Sequence, residues 1–311
     1  MIVNNLPQYV EEHRLPILRN AVIGNRSAKE FNLQTGVKGA TALNLLVTDV
    51  TFGDGSACGW NEAGTSTLSQ RILTPGAIKV NMSFCDKTLL KTWANYDVRV
   101  AAGQKTLPFE EDFINGVVDS VKAKLEKAMW MGDASTGNTN PDTNKFDGIV
   151  KIMSNETAAG TYTIQANDTV TAIVNGVYAL IPSAAYEKGE VVMYMGYDNY
   201  RKWIQELIAN GNLVLNAGNG AVLDGVAMPT SMLIPGTNVR VIPVAGLDGS
   251  ANYKVFASYR DNFVFGTDMA GDEEKAEMWY SKDNREFRLA IEFTAGVQVA
   301  FPNMVAVGYK A

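Results

Sequence analysis

Three side chains could supply nucleophilic or metal chemistry: His13, Cys58 and Cys85. A Ser-His-Asp or Cys-His site needs its histidine within hydrogen-bond reach of the nucleophile. His13 is the sole histidine and lies close to the N-terminus, so that segment would have to fold into a pocket. A tetrahedral Cys/His zinc site needs four ligands, and these three cannot complete one. The sequence contains no G-x-S-x-G elbow, P-loop or HExxH motif. Paired carboxylates remain as the chemistry that the residue types permit. Glu190, Glu206, Asp224 and Glu292 are candidates only as all acids are, and each reads as structural. The expectation is a protein that is not an enzyme, with no catalytic, cofactor-binding or metal-ligating residues.

Three loops invite comparison with ligand-binding motifs. Gly53-Asp54-Gly55 lacks the following helix and Lys or Ser/Thr of a phosphate cradle. The run from Asp142 to Gly148 is similar to a calcium loop, but Phe146 occupies a ligand position and the closing Glu is missing. Gly218-Asn219-Gly220 reads as a turn and does not match a dinucleotide fingerprint. The acidic run Asp268 to Glu277 contains one lysine, Lys275, and reads as a solvated turn. The other reading sets it against Arg14 or Arg26 of a neighbouring subunit.

The composition narrows the class. The 311 residues are 46% hydrophobic and 19% charged, with a net charge of −6. A sequence pI near 5.0 argues against a protein that coats DNA through a broad basic face. Two cysteines are too few for a disulfide scaffold. No run reaches the roughly 18–20 apolar residues of a membrane helix, and no secretory signal pattern opens the chain.

The elements that would position any site follow from periodicity. Residues 1–40 carry many anchors, among them Leu6, Val10, Leu18, Val22 and Phe31. Pro7, Pro16, Gly24, Gly36 and Gly39 interrupt any single long helix, although Gln8 to Arg14 suits a short one. A mobile tail is one reading; an extended arm lying on a neighbouring subunit is the sharper one. Ala42 to Phe52, Thr65 to Ile72 and Ala77 to Phe84 read as strands. The first two form a long hairpin with a Gly-rich tip, which cannot bury much alone; either it covers a partner or it is a disordered insertion. Glu110, Glu111 and Asp112 follow Pro108 at the start of an amphipathic helix that runs to Met131, with Thr106 a candidate cap. A polar loop covers 133–146. Residues 165–250 read as an α/β unit: a helix over Thr169–Leu180 capped by Asp168, a strand over Val191–Met195, a helix over Asp198–Ala209 and a strand over Val239–Pro243. The segments Val255–Ala257, Phe263–Phe265 and Phe287–Phe301 complete the strands.

Order and short motifs carry a family resemblance along the whole chain. The long helix ends in Met131-Gly132-Asp133, and a polar loop leads to Phe146-Asp147-Gly148-Ile149, read as entering a strand. The segments Val192–Met195, Tyr197–Leu207, Leu223–Val226, Met228-Pro229 and Val239–Pro243 follow, and Gly296–Pro302 lies near the end. This series resembles the tailed-bacteriophage major capsid protein of the Hong Kong 97-type fold. The resemblance implies an α+β chain with an N-terminal arm (1–40), an extended hairpin and flanking strands (41–104), and a peripheral domain with a spine helix (105–165). An axial α/β domain (166–251) and closing strands (252–311), the last residues returning toward the axial domain, complete it. It implies self-assembly as hexamers and pentamers into an icosahedral virion shell around double-stranded DNA, built in the host cytoplasm. It also implies portal, scaffolding and decoration partners, no sequence-specific DNA binding and no membrane. No charged helical segment precedes the arm, and Met1 favours a separate scaffold. The hairpin tip, 53–64, contains no lysine, so no Lys–Asn cross-link is expected. An encapsulin-type nanocompartment shell and a glycan-binding or glycan-cleaving β-protein are the alternatives; the mid-chain helix counts against the second.

Overall fold

The protein's structure, a computed structural model, describes residues 5–52, 56, 64–85, 87–88, 109–210, 231–250, 252–268 and 275–310. Three short helices open the chain: α1 (Asn5–Glu12), α2 (Arg14–Ile23) and α3 (Arg26–Glu30). Asn25 caps α3 by accepting the Ala28 amide hydrogen bond at 2.7 Å. The structure corrects the expectation of an extended arm here. Residues 5–30 are almost wholly helical, and Leu6, Val10, Leu18, Ala21 and Val22 are buried within the same subunit. Their spacing looked irregular because breaks at His13 and at Gly24-Asn25 reset the helical phase.

Four strands follow: β1 (Asn32–Thr35), β2 (Thr41–Val50), β3 (Gly64–Leu73) and β4 (Gly76–Cys85). The spine helix α4 (Phe109–Met131) buries Ile114, Val117, Val118, Val121, Leu125, Ala128 and Met129, the 3.6-residue stripe that its sequence predicts. Thr106 and Pro108 lie outside the described residues.

The loop after α4 is pinched shut at its base. The Gly148 amide donates to Gly132 O at 2.9 Å, and the Asp133 amide donates to Thr143 O at 2.8 Å. Asp147 Oδ1 accepts from the Ala134 amide at 2.8 Å. Where a strand was expected after Gly148, the chain forms helix α5 (Ile149–Ser154). Ile149 and Met153, four residues apart, are both buried there, while Lys151 midway between them reaches Asp133 at the surface; a strand would put all three on one face, and a helix does not.

The α/β unit contains β5 (Gly160–Thr163), α6 (Val170–Ala179), α7 (Ser183–Lys188), β6 (Val191–Met195) and α8 (Tyr197–Ala209). It continues through β7 (Met232–Leu233), β8 (Arg240–Pro243) and β9 (Tyr253–Tyr259). The cap of α6 is Thr169, whose side chain accepts from the Ala172 amide, and not Asp168 as expected. Asp168 instead accepts from the Gln165 amide and the Tyr162 hydroxyl. Glu206 of α8 supports the same helix end, accepting from the Val170 and Thr171 amides at 2.9 and 2.7 Å and from the Thr171 hydroxyl at 2.7 Å. Burial opposes ionisation of Glu206, but those donors outweigh it and hold the carboxyl below its usual range. Replacing Glu206 with alanine is expected to cost ~1–2 kcal/mol in chemical denaturation. Because the folded value is depressed, this stabilisation is complete above the unfolded value near 4.5 and is lost as pH falls through the folded one.

The closing strands are β10 (Phe263–Thr267), β11 (Lys275–Ser281), β12 (Glu286–Val299) and β13 (Ala306–Tyr309). One sheet has the order β1-β10-β12-β11, with β4 also pairing β12; the other runs β5-β13-β9-β6-β8-β7. The spine helix packs against α2 and against the Ala245–Leu247 turn of the second sheet. Strand β6 is buried throughout. Val192 and Tyr194 belong to the core around the spine helix, while Val191, Met193 and Met195 face the core with α6 and α8. A strand shared by two cores reads as a continuous apolar run.

The chain crosses between the sheets at the turn Arg260–Asn262, which joins β9 to β10. Asn262 is fully buried there. Its side chain accepts from the Phe301 amide at 2.7 Å and donates to Phe301 O and Ser258 Oγ, both at 2.9 Å. Asn262→Ala leaves these groups without their partner, and an expected loss of ~2–3 kcal/mol is measurable by urea denaturation. Among the described residues no helix is long and apolar enough to cross a membrane.

Candidate assembly interface

The residues that could do chemistry are dispersed. His13 is exposed and stacks on Tyr9, with ring centroids 4.3 Å apart. Cys85 is an exposed free thiol at the end of β4, whereas Cys58 and Asp224 lie outside the described residues. Glu190 pairs with Arg240 at 3.2 Å and Glu292 with Lys79 at 2.9 Å, so with Glu206 at its helix end these acids do not converge. The acids of the calcium-like run are likewise engaged, Asp142 by Lys124 at 3.0 Å and Asp147 by the Ala134 amide at 2.8 Å. Among the described residues no group of three or more His, Cys, Asp or Glu is placed to hold a metal. Of the acidic run, Asp268 is buried rather than solvated, because it closes β10 with its amide bonded to Thr294 Oγ1 at 3.2 Å. Residues 269–274 of that run, and the 218–220 turn, lie outside the described residues.

What the structure does assemble is a polar latch for the N-terminal helices. Glu126, on the spine helix, is 4% exposed. It accepts from the Ser27 amide at 3.0 Å and the Ser27 hydroxyl at 2.6 Å. Trp130 Nε1 donates to the same Ser27 Oγ at 2.7 Å. Burial pushes the Glu126 carboxyl up, against the hydrogen bonds of Ser27 and the charge of Arg26. At the other end of α3, Arg260 donates to Lys29 O at 2.9 Å and Glu30 O at 3.0 Å, satisfying carbonyls that a helix end leaves open. Phe31 then inserts among Trp130, Tyr194 and Phe263 at centroid distances of 5.4–5.7 Å. No sequence signal marked Glu126, a charged residue beside Leu125 whose partner is 99 residues away.

The surface left unsatisfied is the hairpin. Among the described residues strands β2 and β3 pair only with each other, in an unbroken antiparallel register from Thr41↔Leu73 to Val50↔Gly64. Leu46 and Leu68 are direct partners, and each remains about two-thirds exposed, at 62% and 66%. Ile72, partnered with Ala42, is 60% exposed, and Phe52 beyond β2 is 96% exposed. Between these apolar pairs Gln70 Nε2 donates to Asn44 Oδ1 at 2.9 Å. The base is anchored: Arg71 pairs with Glu156 at 2.7 Å, and Gln298 Nε2 donates to Ile72 O at 2.7 Å. A lone two-stranded ribbon is marginal in water, and clustered exposed apolar side chains mark an interaction surface.

No protein-family profile and no curated protein sequence matches the chain. Solved structures do resemble it. It is similar to a chain of the satellite phage P4 procapsid with its size determination (Sid) protein, at 11% identity and a TM-score of 0.62, covering 96% of this chain and 91% of that one. A chain of Gordonia phage Cozz gives 12% identity and a TM-score of 0.58, with 92% and 86% coverage. The capsid of an empty GTA particle gives 13% and 0.52, with 91% and 88% coverage. Identity this low carries the likeness of architecture alone: the chain has the mixed α+β fold found in phage capsid structures.

Proposed function

We propose that this chain is a major capsid protein of the Hong Kong 97 type. It would build an icosahedral shell from hexamers and pentamers around double-stranded phage DNA. The observation that carries the reading is the exposed β2–β3 ribbon on a chain with the fold of phage capsid structures. Such a ribbon gains its missing burial from another copy, and closed symmetric assembly repeats that gain at every subunit. In this reading residues 166–251 meet around the symmetry axes and the hairpin lies on a neighbour. The role is structural rather than enzymatic, in the virion, after assembly in the host cytoplasm with portal, scaffolding and decoration proteins. An acidic chain also limits adhesion to enclosed DNA, since each phosphate contact adds affinity.

The test is assembly. Electron microscopy of the expressed chain is expected to show icosahedral shells, and particles from the native source are expected to contain DNA; particles filled with an enzyme cargo would instead indicate a nanocompartment. A double variant, Leu46→Asp with Leu68→Asp, is expected to keep the native circular dichroism spectrum and to lower particle yield at least tenfold. Unchanged particle yield from that variant would overturn the role given to the ribbon.

A further inference from the structure

We propose that Lys202, Lys254 and Lys310 form a binding site for an oligophosphate, supplied by a nucleic-acid backbone or by a free polyphosphate. The site goes beyond the shell-forming reading and does not depend on it. Its three lysines come from separate elements: Lys202 from helix α8, Lys254 from β9, and Lys310 from the position that follows β13. Strands β9 and β13 are paired, with Gly308 opposite Val255 and Tyr309 opposite Tyr253. The Lys310 amide extends that pairing by donating to Asn252 O at 2.8 Å. Lys254 and Lys310 therefore stand on neighbouring strands at the same end of the second sheet. The Lys254 ammonium donates to the carbonyl oxygen of Ser250, a residue only 3% exposed. That bond holds the ammonium at the turn and leaves its other donors for a ligand.

The charge gathered there is uncompensated. Acids outnumber Lys and Arg in this chain, 33 to 27, and Lys79, Lys122, Lys124 and Lys151 each pair with one. Among the described residues no ion pair reaches Lys202, Lys254 or Lys310. The acids at the start of α8 are engaged elsewhere: Asp198 pairs with Arg201, and Asp248 accepts from the Asp198 amide at 3.1 Å. Burial, and after it the charges of Lys310 and Lys202, hold the Lys254 ammonium below its ordinary value. Holding like charges together costs free energy, and such an arrangement marks a candidate functional site. A bound anion removes that cost. Lysines meet phosphate as compact point charges with rotatable donors. Three of them suit a ligand that carries several charges close together, as linked phosphates do.

The test titrates the full-length chain in a calorimeter at low ionic strength, with sodium tripolyphosphate and separately with a duplex DNA of about 20 base pairs. Tripolyphosphate is expected to bind once per chain, with an affinity that falls as salt is raised. Lys202→Gln with Lys254→Gln and Lys310→Gln is expected to weaken binding at least tenfold. Lys202→Glu with Lys310→Glu keeps the bond from Lys254 to Ser250 and is expected to do the same, with circular dichroism checking that both variants fold. The control, Lys38→Gln with Lys127→Gln and Lys282→Gln, removes as many charges at exposed positions elsewhere and is expected to bind as the parent does. DNA binding that needs the same three lysines assigns the site to a nucleic-acid backbone. Tripolyphosphate binding without DNA binding assigns it to a free polyphosphate. The site is overturned if the unaltered chain binds neither probe, if the control weakens binding as much as the site variants, or if the site variants bind as tightly as the parent.

Discussion

Replacing Glu126 with alanine is expected to lower stability by ~3 kcal/mol and to loosen the N-terminal helices from the spine helix. The substitution removes the acceptor for both the Ser27 amide and the Ser27 hydroxyl. Both donors sit where water does not reach, with Ser27 0% and Glu126 4% exposed. Trp130 Nε1 loses the oriented hydroxyl to which it donates. Hydrogen exchange should localise the change, with faster exchange in residues 5–30 and little change around β6. Glu126→Gln keeps the shape and one acceptor oxygen but sets a donor NH2 where the second oxygen accepts, and is expected to cost less than alanine, ~1–2 kcal/mol.

The pH dependence separates these variants further. Burial raises the folded-state pKa of Glu126 above the ordinary value near 4.5. The folded protein therefore holds this proton more tightly than the unfolded chain does. The contribution of Glu126 is largest below the unfolded value, declines as pH rises from there through the folded value, and is constant above it. Glu126→Gln cannot titrate and should remove this decline from the stability–pH curve measured by urea denaturation. A curve unchanged in that window would show that Glu126 is not buried as described. The slope is opposite in sign to that from Glu206, whose depressed value costs stability on acidification.

Gly148→Ala is the second large effect, with an expected loss of ~3 kcal/mol from overpacking against backbone. A Cβ at Gly148 would lie 2.5 Å from the Gly132 nitrogen, 2.7 Å from Trp130 O and 2.8 Å from Ala128 O. None of these is the end of a flexible side chain, so relief requires the spine helix terminus to move. That terminus carries Trp130, and through it the Ser27 latch and the Phe31 aromatic cluster. Gly132→Ala meets the same pinch from the other side, with Phe146 O at 2.4 Å and Gly148 N at 3.0 Å. Gly137, on the exposed part of the loop, has nothing within 4 Å of its added Cβ. Gly137→Ala is the control and is expected to leave the melting temperature within about 1–2 °C of the parent protein.

Elements dominated by local period were legible. The spine helix, β6, α8 and β12 stand close to where their apolar spacing put them, because a residue's position on a helix face or strand face follows from its neighbours in sequence. The two strands of the hairpin were legible for the same reason. The motif Gly132-Asp133 with Asp147-Gly148 was visible as a pattern, but its cause was not. That cause is a backbone contact between residues 16 positions apart, closed by the hydrogen bond from Gly148 to Gly132.

The composition alone determined that histidine and cysteine chemistry had little material to work with, and the strand spacing alone determined a hairpin unable to bury itself. The tertiary structure decided the rest. It folded the N-terminal segment onto its own spine helix, because the Ser27–Glu126 and Phe31–Trp130 contacts satisfy groups about 100 residues apart that no local pattern links. It placed β9 and β10 in different sheets around the buried Asn262. It also left Leu46, Leu68 and Phe52 exposed. Exposure is a sum over all neighbours in space, and a sequence lists only the neighbours along the chain.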